Sequence, residues 1–228
     1  MASNLNKCTY CSKEFTRERT LQVHMCEPKR RYLQKGEKWV QNGFMVFQRF
    51  YQIHQNNMKE KTYDDFCKSS YYNAFVKFGR FMMHINPLYP EKYIDYVILS
   101  KIKLDHWSRD DLYESYLIDT LKVEPVEAAL RRSIATMMDW AEEQHAQWSD
   151  YFRLVNTNRA VQHIQQGKIS PWLLLGCNAG KKMLKSFTDE QLQMTARFIN
   201  PEYWNAKFKS YPADLLFVEE TAKEAKVE

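Results

Sequence analysis

Apolar side chains along this chain recur at intervals of three and four, the spacing that gathers them on one side of an α-helix. From Gly43 to Gln55, the residues Phe44, Phe47, Phe50, Tyr51 and His54 fall on one face and Arg49 on the other. Tyr71 to His84 is apolar around most of its circumference, which predicts a helix central to a core. Its polar stripe is Asn73, Lys77, Arg80 and His84, a solvated face also able to meet phosphate. Asn86-Pro87 and Tyr89-Pro90 punctuate the chain before a helix over Glu91 to Ile102, and Leu104 to Trp107 ends that layer. Ser108 with Asp111 resembles a capping box opening a helix to about Leu121. A long amphipathic helix over Glu124 to Gln147 follows, with Pro125 in its first turn. Asn158 to Gln166 is a shorter helix, stopped by Gly167. Ser170-Pro171 caps another over Trp172 to Leu175, and Thr188 with Gln191 forms a second capping box. Asn200-Pro201 and Tyr211-Pro212 open the last two helices, and the Lys/Glu-rich tail from Thr221 is expected to fray. Met1 to Asn6 reads as a loose tail and Asn56 to Lys61 as a polar loop. No run alternates apolar and polar over a strand's length, so the body is expected to be all-α.

The pattern breaks at the N-terminus. Lys7 to Arg31 holds three of the five cysteines, in the order Cys8-x2-Cys11-x3-Phe15-x5-Leu21-x2-His24. That order suits a small ββα zinc finger, with the Cys pair on a hairpin, Phe15 and Leu21 as a minimal core, and His24 on a short helix. About twenty-five residues bury too little apolar surface to fold alone, so a metal must supply the folding free energy. Cys26 follows His24 by two positions, and residues two apart on a helix do not share a face. It ligates only if the helix stops near His24 and the chain turns, a stop that Pro28 favours by disfavouring helix at Glu27. Cys8, Cys11, His24 and Cys26 are thus the expected Zn²⁺ ligands.

Charge sharpens this picture. Residues 1–60 carry 11 Lys/Arg against 5 Asp/Glu, and the rest 22 against 23. The basic excess lies in and just after the finger, as expected of a phosphate-binding end on a neutral body. Lys29, Arg30, Arg31, Lys35 and Lys38 form a basic connector, with Gly36 a break. Arg17, Thr20 and Val23 occupy the finger's usual base-reading positions, with Arg19 beside them. One finger covers only about three base pairs, which favours backbone binding over sequence reading. There is no stretch of eighteen apolar residues and no apolar leader, so a reducing cytoplasm and no membrane are expected. Cys67 and Cys177 stand isolated, consistent with that compartment.

Catalytic patterns are missing or incomplete. Gly176-x3-Gly180-Lys181-Lys182 is one residue short of a phosphate loop, lacks the Ser/Thr for magnesium and follows a helix. Lys181, Lys182 and Lys185 still offer backbone contacts. Glu142-x-x-His145 has di-metal spacing without the second copy such a site needs. No nucleophile motif and no HExxH are present, so neither an enzyme nor a small-molecule substrate is expected.

Four local patterns resemble the replicative DNA helicase loader (helicase assembly protein) family of T-even-like bacteriophages. They are GFMVFQRFYQIHQ; YYNAFVKFGRFM with Asp105-His-Trp107-Ser-Arg-Asp110; Asn156 to Ser170; and Trp204-Asn-Ala-Lys207-Phe-Lys209-Ser-Tyr211. They span about Gly43 to Phe217 in order and leave the finger outside, as in uncharacterised zinc-finger proteins of marine tailed phages. The resemblance implies a non-enzymatic, two-part helical body in the cytoplasm of an infected bacterial host. It implies binding of forked or single-stranded DNA, contact with a single-strand DNA-binding protein, and recruitment of a replicative helicase. Carried over by position, Lys77, Arg80, Lys207 and Lys209 become candidate DNA contacts. The expected layout is a finger and connector over 1–36, then helical domains over 37–107 and 108–228. A phage transcription regulator, whose finger meets promoter DNA or host RNA polymerase, is the rival reading. A purely structural assembly protein is the third.

Overall fold

The computed structural model describes residues 6–55 and 60–227; parts of the expected N-terminal tail and of the loop at 56–61 lie outside them. Among the described residues the chain is all-α apart from one two-stranded antiparallel sheet. It forms two compact units, Met1–Tyr113 and Glu114–Glu228.

The first unit begins with strands β1 (Asn6–Lys7) and β2 (Glu14–Phe15), paired Asn6 to Phe15 and Lys7 to Glu14. Helices α1 (Glu18–Val23) and α2 (Glu27–Leu33) follow, then a 3₁₀ turn at Gln34–Gly36. Helix α3 (Lys38–His54) starts five residues before the expected face because Val40 is also buried. Helix α4 (Tyr63–Lys68) was not anticipated, although Thr62 and Asp65 close a complete capping box at its start. Helices α5 (Tyr72–Ile85) and α6 (Pro90–Leu99) complete the layer. The core is aromatic: Phe47, Phe66, Phe75, Phe78, Tyr93 and Trp107 are all buried. Many of these rings meet tilted or edge-on, as their quadrupoles prefer.

Helices α3 and α5 cross closely because glycines meet at the crossing. A Cβ on Gly79 would collide with the Trp39 carbonyl and sit 2.7 Å from the Gly43 nitrogen, and one on Gly43 would lie 2.9 Å from the Phe75 carbonyl oxygen. No larger residue fits without parting the helices.

Helix α7 (Asp110–Val123) starts two residues after Ser108, and the Asp111 carboxylate takes the Arg109 guanidinium at 2.9 and 2.5 Å. In the second unit, α8 (Val126–Gln144) ends at His145, which is left-handed at φ 52°. A 3₁₀ turn at Trp148–Asp150 leads to α9 (Tyr151–Leu154), and α10 (Thr157–Gln165) closes at Gly167 with φ +68° as expected. Helix α11 (Pro171–Gly176) turns into α12 (Asn178–Leu184), then α13 (Asp189–Thr195), α14 (Pro201–Ser210) and α15 (Pro212–Glu224). The tail does not fray at Thr221. Helix α15 continues because Val218, Ala222 and Val227 are buried, and the Val227 amide donates to the Ala222 carbonyl at 2.9 Å.

A buried ion pair ties the second unit together. Arg132 forks onto Glu124 at 2.5 and 2.7 Å and donates to the Gly167 carbonyl at 2.6 Å. The Ser170 hydroxyl donates to the same carboxylate at 3.2 Å, so its lone pairs are well used. Beside it, Trp172 and Trp204 pack edge to face with centroids 5.6 Å apart.

Candidate metal centre

Four side chains from three different local structures converge at the front of the first unit. The hairpin turn carries Cys8 and Cys11. The Cys8 amide donates to the Lys13 carbonyl and the Ser12 amide to the Cys8 carbonyl, both at 2.9 Å, and Ser12 takes φ 59° to make the turn. Helix α1 stops at His24, whose extended backbone (φ −66°, ψ 121°) still donates its N–H to the Leu21 carbonyl. Cys26 is also extended (φ −86°, ψ 162°) and is the N-cap residue of α2. The stop between His24 and Cys26 is therefore real, and it lets residues two apart face one point. Pro28 acts differently from expectation. Glu27 is the first residue of α2 and Pro28 the second, where its missing N–H costs nothing, so it starts a helix as well as following a stop.

The Cys8 and Cys26 sulfurs lie 3.9 Å apart and the Cys11 sulfur lies 3.3 Å from His24 Nε2. All four donor atoms fall within 4.8 Å of one another. A tetrahedral ion about 2.3 Å from sulfur and about 2.0 Å from nitrogen requires edges of about 3.8 Å between sulfurs and about 3.5 Å from sulfur to nitrogen. The residues fit one ion. The backbone N–H groups of Cys11 and Tyr10 hold the Cys8 thiol below its ordinary range, favouring the thiolate that a metal needs. Phe15 packs on the His24 ring, with centroids 4.7 Å apart, and fixes its orientation. Within the cluster, the backbone hydrogen bond at Lys13 holds the Cys11 thiol down but is outweighed by desolvation and its Cys26 and Cys8 neighbours, so that thiol is raised. Cys67 and Cys177 lie outside the cluster, both buried, with thiols raised by desolvation.

The basic residues sort into three groups. Arg17 and Arg19 are exposed on the finger, Lys38 at the start of α3, Lys181 and Lys182 on α12, and Lys209 on α14. Others are engaged within the protein. Arg31 donates to the Cys67 carbonyl at 2.8 Å and the Ser69 carbonyl at 3.3 Å, with its guanidinium 4.5 Å from the Tyr72 ring centre. Lys29 donates to the His24 carbonyl at 3.2 Å, and Lys35, though exposed, sits 5.2 Å over Tyr63. Lys207 donates to the Lys122 carbonyl among Trp172, Trp204 and Tyr211, and desolvation lowers its pKa. The third group shares one groove. Arg30 from α2 and Lys77 and Arg80 from α5 line it together with Trp39. Trp39 drew no notice in the sequence, since a lone tryptophan ahead of a helical face carries no spacing signal.

The two incomplete motifs have structural uses. The Gly180 amide donates to the Cys177 sulfur at 3.3 Å, and a Cβ on Gly180 would strike the Leu174 backbone. Gly180 thus serves the α11–α12 corner, and Gly176 makes room for Val218 of α15. His145 has left the helix that carries Glu142, so the pair shares no face. No described helix is long and apolar enough to cross a membrane.

Comparison with family models, with curated proteins and with solved structures returns no match for this chain.

Proposed function

We propose that Cys8, Cys11, His24 and Cys26 hold zinc and that the protein is a non-enzymatic accessory of DNA replication. In this reading it binds forked or single-stranded DNA and brings a replicative helicase onto it, in contact with a single-strand DNA-binding protein. The observation that carries the DNA part is the mounting of cations around the metal centre. Arg17 and Arg19 stand exposed on the finger, and Cys26 begins the helix that presents Arg30. Zinc is favoured by the Cys3His donor set and by two edges of about tetrahedral length, Cys8 to Cys26 and Cys11 to His24. The helicase part rests on the sequence resemblance alone.

Backbone-dominated binding weakens with salt by about 0.7 to 0.9 log units per log unit of salt for each phosphate neutralised. A salt titration on forked DNA, followed by fluorescence anisotropy, is expected to give a slope of several such contacts. A flat titration, or no binding, rejects the reading. Affinity capture from the natural host is expected to recover a ring helicase.

The transcription-regulator reading draws on the exposure of Arg17, Thr20 and Val23, the positions from which a finger reads bases. It requires a preferred duplex sequence, whereas the replication reading requires forks to outcompete duplex.

A further inference from the structure

We propose that the groove between α2, the start of α3 and α5 seats a single strand of polynucleotide. Its phosphates lie on Arg30, Lys77 and Arg80, and one base lies on the pair of Trp39 and Arg80. This rests on the DNA-binding reading above and locates the strand on the first unit.

Three observations meet there. The groove offers about 420 Å³, within the range of about 300–1,000 Å³ that seats a ligand of nucleotide size. Its cations come from two helices distant in sequence, and one carboxylate, Glu27, opposes them. Glu27 is shared by Arg30 and the inward-turned Arg31, and the Arg30 side chain remains 60% exposed. Lys77 has no side-chain partner among the described residues.

The second observation is chemical. The Arg80 guanidinium lies 4.0 Å over the Trp39 ring centre, so an aromatic ring and a cation share one place on the groove wall. Nucleobases stack on tryptophan and on guanidinium planes alike, and only an unpaired strand exposes a base face to them. The third is the amide of Asn73, one turn before Lys77 on the same wall, a donor and acceptor for a base edge. An acidic peptide would match the charges but would leave the ring unused.

The test uses the zinc-loaded full chain and a fluorescein-labelled oligothymidylate, with affinity read by anisotropy over a salt series. Trp39→Leu is expected to weaken binding about tenfold, the loss of one stacked base, with the salt slope unchanged. Lys77→Gln and Arg80→Gln should each reduce the slope by about 0.7, one phosphate contact apiece. Lys103→Gln, the same charge change on an exposed residue outside the groove, should alter neither quantity. If the wild type binds and the Lys77 and Arg80 variants behave like Lys103→Gln, the groove is the wrong place while DNA binding stands. If polyglutamate competes as well as oligothymidylate at equal length, base stacking is refuted. If the wild type binds forked DNA but no oligothymidylate, this inference falls while the proposed function stands; if it binds neither, both fall. Lys77 and Arg80 are exposed, so the slope decides the matter even if Trp39→Leu disturbs the fold.

Discussion

The finger and the second helical unit obtain their stability from opposite sources. Between Asn6 and Cys26 the only buried side chain is that of Cys8. The second unit buries Trp140, Tyr151, Trp172 and Trp204 and hides an arginine–glutamate pair among them. In the zinc-bound reading proposed above, ligand bonds hold the first together, since burial of apolar surface cannot. The lesson is that this chain places its basic excess where burial is least, beside the four-residue cluster proposed to hold zinc.

Removing the metal should break the comparison open, with the largest effect. A structural zinc site is worth about 10–16 kcal/mol in small finger peptides. Chelation is expected to abolish hydrogen-exchange protection at the Cys8, Ser12, Leu21 and His24 amides, whose acceptors are all local. Amides of α8 and α11 should keep their protection. Finger amides that stay protected in the metal-free protein would show that the segment folds by other means.

Within the second unit, Arg132→Ala should be the costliest single change. It leaves the Glu124 carboxylate buried without its charged partner, which costs about 3–5 kcal/mol. Arg197→Ala removes an arginine that pairs with Glu114 from an exposed position, and should cost under about 1 kcal/mol. Urea unfolding of both variants checks the contrast, and equal midpoints would contradict it. Neither change should alter zinc content.

How much of this was legible in advance follows from where each signal resides. The finger was readable because coordination fixes residue type and spacing together, down to the turn between His24 and Cys26. The helical body was readable where one face is apolar, as in α3 and α5, and where caps are local, as at Thr188 and Gln191. Short helices of the body were legible only where a cap was read, as at Ser170 for α11 and Thr188 for α13. Six-residue α4 shows no period and its Thr62–Asp65 box was missed, and α12 was hidden by a glycine pair that resembles a phosphate loop. The fates of the lysines and arginines were not legible. Arg31 and Lys207 look in sequence like Arg30 and Lys209, and only their packing against Tyr72 and the Trp172–Trp204 pair separates them.

A smaller effect sharpens the same contrast inside the first unit. Gly79→Ala would push a methyl into the Trp39 backbone, and overpacking of this kind costs about 1–3 kcal/mol. Because Trp39 also lines the groove, oligothymidylate affinity should fall with stability, while the metal-binding stoichiometry stays at one. An unchanged urea midpoint would mean that α3 and α5 separate more easily than their crossing suggests.

The smallest effect at neutral pH comes from His163, and it grows on acidification. Its ring is buried against Tyr151, with the phenol oxygen 2.7 Å from Nδ1. Desolvation, aided by Lys168 and Arg159 and opposed by Glu143, pulls its pKa down to about 4 from 6.5. The unfolded chain therefore binds this proton at a higher pH than the folded one. Stability from the neutral ring is complete above about pH 6.5 and is lost progressively as the pH falls toward about 4. His163→Gln should flatten that part of the stability profile while lowering stability at neutral pH through the lost contact with Tyr151. Hydrogen exchange at α10 amides, followed from neutral pH downward, reports on this unit separately from the cysteine ligands, which also take up protons in acid. If the ring titrates near 6.5 in the folded protein, followed by its NMR shifts, the acid sensitivity of the second unit has another origin.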